Sequence, residues 1–300
     1  MMARRLSRRT SRGLALVVVL WMVAALSLLA AGLAGLSRGE IRVAQNVRMA
    51  SEVAALGDAA IHMVALGLRS GADMPRGSFV HSMTFGEREV SVSVVPADGL
   101  IDLNAAREPL LRDLFVYGAG RDEVDAEQIA RNIVEWRGVG SDPEDTDYEE
   151  AGMAGGPRGE RLEHPEDLLQ VLGVTYDDYA KIARLITVSS ESPAIDPLSA
   201  PVEVLRIVAE GNDETAEMIA AARDEEDPVV DTTGLVQEYV GGRGVGVLRV
   251  DARIDYDGRV FRRTRWIDLN RPSAQGSPWR TVRVEAVRGA RSGAEFHDGI

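Results

Sequence analysis

The stretch GLALVVVLWMVAALSLLAAGLAGLSR, residues 13–38, decides how this chain is organised. Residues 14–37 are an uncharged run of 24 residues. As an α-helix this run would be roughly 36 Å long, enough to cross a bilayer core. The preceding residues 1–13 carry five arginines and no acidic residue. Because short basic segments stay on the cytoplasmic side, we predict a single-pass membrane protein with a cytoplasmic N-terminus and an extracytoplasmic body.

The apolar pattern continues beyond this run as one helical stripe with alternating steps of four and three. The stripe consists of Val43, Val47, Ala50, Ala54, Gly57, Ile61, Val64 and Leu68. No proline interrupts residues 14–69, so we predict one continuous helix over residues 14–70. A secretory signal peptide is the rival interpretation, but its apolar core is typically only about 7–15 residues long.

Two widely separated segments have the alternation of β-strands. Residues 79–94 alternate around a turn at Gly86 and predict a hairpin with one buried face. Residues 248–268 alternate on both sides of Asp257-Gly258, which is a strong hairpin signal, and residues 279–288 predict a further strand. We therefore predict an α+β fold in which a long N-terminal helix packs with one antiparallel β-sheet that a large all-α domain interrupts.

These patterns divide the chain into five parts. They are a leader over residues 1–13, a transmembrane and amphipathic helix over 14–70, a sheet over 71–97 and 241–288, a helical insertion over 98–240, and a tail over 289–300. About 260 residues outside the membrane are enough for one large or two small domains.

The insertion contains an internal repeat. IDLNAA at residues 101–106 and IDPLSA at 195–200 each precede an apolar helical pattern and then an Ala/Ile-rich one, at 129–133 and 218–222. We predict two related helical units, SAM-like or helix-hairpin-helix-like. Between them, residues 166–182 predict a helix, a tight turn at Gly173 and a second helix.

Helix-hairpin-helix modules can bind DNA phosphates through a Gly-x-Gly turn, so this unit raises a nucleic-acid interpretation. The turn here is Gly173-Val174-Thr175 and lacks the second glycine. Its flanks are acidic, with Asp167, Asp177 and Asp178. We therefore favour a structural or protein-contact role and expect no nucleic-acid partner. A membrane-anchored DNA-binding protein remains the alternative.

Composition favours the same conclusion. The chain has 47 acidic and 34 basic residues and a net charge of −13; without the five leader arginines the net charge is −18. Such a body is a poor polyanion binder. The four histidines lie far apart, there is no cysteine, and G-x-S-x-G and Walker A motifs are absent. We predict that the protein is not an enzyme.

The acidic run at residues 142–150 is the candidate metal site. Its carboxylates are Asp142, Glu144, Asp145, Asp147, Glu149 and Glu150. Carboxylate oxygens in a flexible loop suit calcium, which takes about 6–8 oxygen ligands. The spacing is not that of an EF-hand, and a solvated acidic loop is the plainer interpretation.

A short basic leader ending in glycine, an immediate apolar helix and an amphipathic extension resemble the type IV pilins and pseudopilins. The resemblance implies cleavage by a prepilin peptidase between Gly13 and Leu14, followed by methylation of the new N-terminus. Most of these subunits have Glu at the fifth mature position, where this chain has Val18. The minor pseudopilin K of type II secretion characteristically lacks that Glu.

Five blocks, in the same order, resemble the K pseudopilins (general secretion pathway protein K) from about residue 12 to residue 279. They are DGLIDLNAA, IVEWR, PEDLLQVLGVT, YAKIARLITV and IDPLSAPVEVL. One departure is Gly138, where the family tends to have an acid after the Trp-Arg pair.

The resemblance implies an inner-membrane subunit with a periplasmic body, at the tip of the pseudopilus. There it would help to initiate pseudopilus assembly and protein export across the outer membrane. The implied partners are minor pseudopilins I and J, prepilin peptidase and the secreted substrate, with calcium bound in the loops of the helical domain. A minor pilin of a type IV pilus or DNA-uptake system is the alternative.

Overall fold

A computed structural model describes residues 11–71, 77–138, 148, 159–225, 230–241, 246–274 and 276–291. For residues 11–14, 30–42 and 290–291 it describes the backbone alone. The chain divides into two compact units, Met1–Glu52 and Val53–Ile300. The first helix, α1, runs over Ser11–Ser70, in agreement with the continuous helix expected from residue 14 onward.

The N-terminal half of α1 exposes apolar side chains. Ala15–Leu29 is an apolar helical segment in which every described side chain is exposed; Trp21, for example, is 73% exposed. Val43–Ser70 also has the length and composition to cross a membrane, but 33% of its most apolar window is buried. That later segment contains Asp58 and core residues, so we interpret it as a core helix and residues 14–37 as the membrane candidate.

The predicted stripe on α1 is buried only in its second part. Ile61 and Val64 are fully buried, and Gly57 is buried as well. Val43 and Val47 are instead 63% and 61% exposed. The same helical face therefore supplies core contacts in the Val53–Ile300 unit and an exposed apolar surface before it.

The strands form a six-stranded sheet and a small two-stranded one. Their bounds are β1 Phe79–Phe85, β2 Arg88–Pro96, β3 Ile101–Asp102, β4 Ile186–Thr187, β5 Val247–Tyr256, β6 Arg259–Asp268, β7 Arg280–Val284 and β8 Arg288–Arg291. The large sheet has the order β1-β2-β5-β6-β7, and β8 also pairs with β6. All its pairings are antiparallel.

Both predicted hairpins are confirmed. Phe85 pairs with Arg88 across the first turn, and Tyr256 pairs with Arg259 across Asp257-Gly258. The two pieces of the sheet meet where β2 pairs with β5, with Val94 opposite Val250.

Two details of the sheet differ from the sequence prediction. The predicted strand over residues 279–288 is two short strands, because regular pairing with β6 ends after Val284 and resumes at Arg288. β8 therefore extends into the predicted tail. The hairpin face expected to be buried is buried on β2, at Val90, Val92 and Val94, but on β1 it is buried only at Phe79, and His81 is exposed.

Between β2 and β5 the described chain is mainly helical. The α-helices are α2 Glu108–Asp113, α3 Glu123–Arg137, α4 Tyr176–Ile182, α5 Val202–Val208 and α6 Asp213–Asp224. α2 continues into a π-helical turn at Leu114–Ala119. The helix predicted before Gly173 is a 3-10 helix, Pro165–Gln170, because it has only six residues and becomes extended at Val171.

The two copies of the sequence repeat begin with the same local structure. Ile101 pairs in parallel with Ile186, and Ile195 forms a parallel bridge with Val240. The aspartate after each isoleucine then accepts the N–H two residues on, at 2.8 Å in Asp102 and 3.1 Å in Asp196. Each unit thus starts from an anchored strand residue and an Asx turn.

The two copies of the repeat also match at the turn between their helices. After the first helix of each unit, Gly120 and Gly211 have left-handed φ values of 77° and 83°. The next helix then starts from a side-chain cap, with Asp122 accepting from Val124 and Asp125, and Asn212 accepting from Thr215. Side-chain caps satisfy backbone donors that the first turn leaves unpaired.

One apolar cluster joins the helical insertion to the end of the sheet. Val95, Val247 and Trp266 of the sheet belong to the same buried cluster as the helical residues around Leu111 and Leu205. Trp136 and Trp279 are also buried. The sheet and the helices therefore share a core.

Candidate functional site

The expected cleavage site lies near the start of α1. Gly13 and Leu14 are in the helix, and their side chains are outside the described set. Val18, at the expected fifth mature position, is 52% exposed. Over residues 15–29 the helix presents apolar surface on all sides, which suits lipid or the helices of other subunits.

The predicted calcium ligands lie outside the described residues. These are Asp142, Glu144, Asp145, Asp147, Glu149 and Glu150. Within the run only Tyr148 is described, and it is 1% exposed. Its ring centroid lies 6.0 Å from that of Trp136, and its hydroxyl accepts the Leu172 N–H at 3.2 Å. Tyr148 thus attaches the middle of the acidic run to α3 and to the Gly173 turn.

The described part of the chain contains no group of three or more His, Asp or Glu side chains placed to hold a metal ion. His62 packs against Trp279, with ring centroids 5.7 Å apart. Burial is the largest influence on His62 and lowers its pKa, and the Arg265 charge lowers it further.

A cluster of ionic hydrogen bonds, which we call the helix–sheet clamp, joins α1 to β6 through Asp58, Arg263 and Arg265. Arg265 donates to both oxygens of Asp58 at 2.6 Å. Arg263 donates to the same oxygens at 2.8 and 3.2 Å, and also to the Glu285 carbonyl at 2.7 Å. Bidentate guanidinium–carboxylate pairs fix orientation as well as distance, so the clamp sets the rotation of α1 on the sheet.

Asp58 remains charged in this setting. Partial burial opposes its ionisation and raises the pKa, but the hydrogen bonds and charges of Arg265 and Arg263 outweigh burial and lower the pKa to about 2. Sequence patterns did not reveal the clamp. The only local signal was an acidic residue beside the apolar stripe of α1, directly after Gly57.

Hydrogen bonding and charge at the turn around Gly173 disfavour phosphate binding. The Thr175 N–H, which could face a phosphate, donates to Asp178 at 2.8 Å, and the Val174 N–H donates to the Val171 carbonyl. Arg121 forms two 2.8 Å hydrogen bonds to Asp178, and these bonds are the main cause that lowers the Asp178 pKa to about 2. The Val174 and Thr175 amides are thus already hydrogen-bonded within the protein, and the charged Asp178 carboxylate lies beside them. Both features disfavour DNA binding at this turn.

Comparison with known proteins gave a match at the level of fold. No protein-family model and no curated protein sequence matches this chain. Among solved structures, the chain is similar to one in the GspK–GspI–GspJ complex of the type 2 secretion system from enterotoxigenic Escherichia coli. The TM-score is 0.55 at 14% identity, and the match covers 84% of this chain and 100% of that chain. The protein therefore has a pseudopilin-like α+β fold.

Proposed function

We propose that this protein is a minor pseudopilin of type II secretion, the K subunit at the tip of the pseudopilus. One observation carries the proposal: two features occur in the same chain. The N-terminal half of α1 is apolar and exposed, and a helical insertion interrupts the sheet. The similar fold in the GspK–GspI–GspJ complex supports the same assignment.

The exposed half of α1 has two successive roles in this proposal. Before assembly, residues 14–37 anchor the subunit in the inner membrane, with the basic leader in the cytoplasm and the body in the periplasm. During assembly, the same apolar surface packs against the N-terminal helices of other subunits. Because Val18 replaces the usual Glu, the helix has no carboxylate to pair with a subunit above it. The bulk of the insertion also obstructs the stacking of a further subunit. Both features suit a terminal position that initiates assembly and supports export.

The decisive experiment reads the N-terminus of the full-length protein expressed with a prepilin peptidase. Intact mass and terminal sequencing should show loss of residues 1–13 and methylation of Leu14. Gly13→Ala is the control and should block both changes. An uncleaved wild-type chain, or cleavage beyond Ser37, would contradict the proposal.

We further propose minor pseudopilins I and J as direct partners. The mature protein should copurify with both from membranes that contain all three subunits. Recovery of neither protein, although the bait is folded and cleaved, would count against the K assignment and would favour a separate minor pilin.

We also propose that the acidic run binds calcium. The support is the chemistry of its six carboxylates, together with the attachment of its midpoint through Tyr148. Titration calorimetry of the full chain should detect calcium binding that Asp145→Asn with Asp147→Asn weakens at least tenfold. Glu127→Gln with Glu217→Gln, on helices α3 and α6, removes the same charge elsewhere and should leave the affinity unchanged. Equal weakening by both pairs would indicate general charge screening in place of a site.

A further inference from the structure

A cavity of about 360 Å³ lies between the large sheet and the helical insertion. Phe79 and Val95 contribute to its wall from the sheet, and Leu185 and Pro201 from the insertion. This volume falls within the usual range of ligand sites, roughly 300–1,000 Å³. We call this space the arginine cavity because of its charged lining.

The charged lining is mainly basic. Its basic side chains are Lys181, Arg184, Arg206, Arg223, Arg249 and Arg262. Among the described lining residues, Glu203 alone is acidic. Because the whole chain has a net charge of −13, such a concentration of positive charge is not a consequence of composition.

Two of the guanidinium groups are fixed in place. The side chains of Arg223 and Arg249 are only 6% and 8% exposed. Arg223 donates to the Ala200 carbonyl at 2.6 Å, and Arg249 donates to the Arg184 carbonyl at 2.6 Å. Arg249 also pairs with the buried Asp251 at 3.1 Å, which offsets part of its charge. These contacts fix the orientation of both guanidinium groups, so this part of the wall is preorganised.

Three of the acidic partners of the basic side chains lie in solvent. Lys181 pairs with Asp177, Arg206 with Asp213, and Arg223 with Asp224. The acidic side chains of these pairs are 76%, 71% and 58% exposed. Ion pairs exposed on both sides, as for Lys181 and Arg206, are weak, so an incoming carboxylate competes with Asp177 and Asp213 at little cost.

Two buried polar atoms in this lining have no hydrogen-bond partner in the described chain. They are Oε2 of Glu203, which is an acceptor, and Nε of Arg206, which is a donor. Unpaired buried polar atoms are costly, and these two need a donor and an acceptor respectively. A peptide unit would supply both, as an N–H and a C=O, once the two side chains turn toward the cavity, since both atoms are buried in the present arrangement. A simple anion does not match the apolar wall around Phe79 and Leu185.

We propose that the arginine cavity binds an acidic peptide segment of a partner protein. The carboxylates of the segment face the basic wall, its backbone pairs with Glu203 and Arg206, and its apolar side chains contact Phe79 and Leu185. The site is independent of the proposed secretion role, since it rests on the cavity alone.

The test uses the full chain in detergent and a short fluorescent peptide that alternates Asp and Leu. Fluorescence anisotropy should show saturable binding that weakens with added salt, because the contacts are ionic. The same peptide with Asn in place of Asp should bind at least tenfold more weakly. Equal binding of the two peptides would overturn the proposal.

Lys181→Gln and Arg131→Gln form a matched pair of variants. Both residues lie on helices, are 49% and 46% exposed, and make an i,i+4 ion pair at 2.8 Å, but only Lys181 lines the cavity. Lys181→Gln should weaken peptide binding at least fivefold, and Arg131→Gln less than twofold. Equal effects would place binding on the general surface and reject the cavity.

Two further measurements keep the result unambiguous. A photoreactive version of the peptide should crosslink to residues around Phe79 or Leu185; crosslinks only elsewhere would reject the site. Inorganic phosphate at matched ionic strength should displace the peptide no more than chloride does. Full displacement by phosphate would show a free-anion site and overturn the peptide assignment.

Discussion

At the scale of single residues, Asp58 does more than any other charged side chain described here to define how α1 meets the sheet. Four hydrogen bonds from two arginines converge on its carboxylate. Arg263 and Arg265 belong to the same strand, so without Asp58 two like charges would lie side by side beneath the helix. The carboxylate therefore removes a repulsion as well as forming ion pairs.

We expect Asp58→Asn to lower the free energy of unfolding by about 2 kcal/mol at neutral pH, because charged hydrogen bonds are lost. Glu52→Gln is the control: Glu52 pairs at 2.8 Å with Arg48, whose side chain is 83% exposed. That change should cost less than about 0.5 kcal/mol. Urea unfolding of both variants measures the two effects, and equal losses would contradict a special role for Asp58.

The same substitution has a defined pH dependence. The Asp58 pKa is about 2 in the folded protein against an ordinary 3.8, so its contribution is fully present above about pH 4. The contribution is lost as the pH falls through 2. The stability difference between wild type and Asp58→Asn should therefore fall steeply between pH 4 and pH 2 and vanish below pH 2. A difference that stays constant over this interval would contradict the assigned pKa.

At the scale of elements, the approach of α1 to the sheet depends on Gly57. A Cβ at this position would lie 2.6 Å from Cβ of Arg263, a contact closer than side chains tolerate. Glycine inside a helix costs about 1 kcal/mol relative to alanine by propensity alone. Its presence in the middle of α1 therefore indicates that close packing outweighs propensity.

We expect Gly57→Ala to destabilise the protein by about 1–3 kcal/mol, although propensity alone predicts a gain. Ala59→Gly, at an exposed position of the same helix, measures the propensity term and should cost about 1 kcal/mol. Thermal unfolding of the two variants provides the comparison. A Gly57→Ala protein more stable than wild type would show that the helix can move away from β6 freely.

The elements that the sequence predicted well are those with a local cause. The Asp257-Gly258 hairpin is one, because both residues take left-handed conformations, with φ of 52° and 72°. The helix–sheet clamp and the arginine cavity had no such signal. Asp58 and Arg263 are 205 positions apart, and only the folded chain brings them together. The candidate calcium site and the Gly13 cleavage site remain predictions from the sequence.

At the scale of the whole molecule, the sheet and the helical insertion share one apolar cluster. Val53–Ile300 is correspondingly one compact unit. We expect thermal unfolding of this unit to be a single transition, with tryptophan fluorescence and far-ultraviolet circular dichroism changing together. Two resolved transitions within this unit would indicate separately folding parts.

The pairing of β2 with β5 has a consequence for biosynthesis. Val94 pairs with Val250, so the central ladder cannot form until the ribosome has produced β5, which ends at Tyr256 of the 300 residues. At about 5–20 residues per second, the roughly 150 intervening residues take about 8–30 seconds to synthesise. During that interval the inner edge of the β1–β2 hairpin is an open strand edge, able to pair wrongly. Rapid local folding of the intervening helices would bring β5 closer to the open edge of β2.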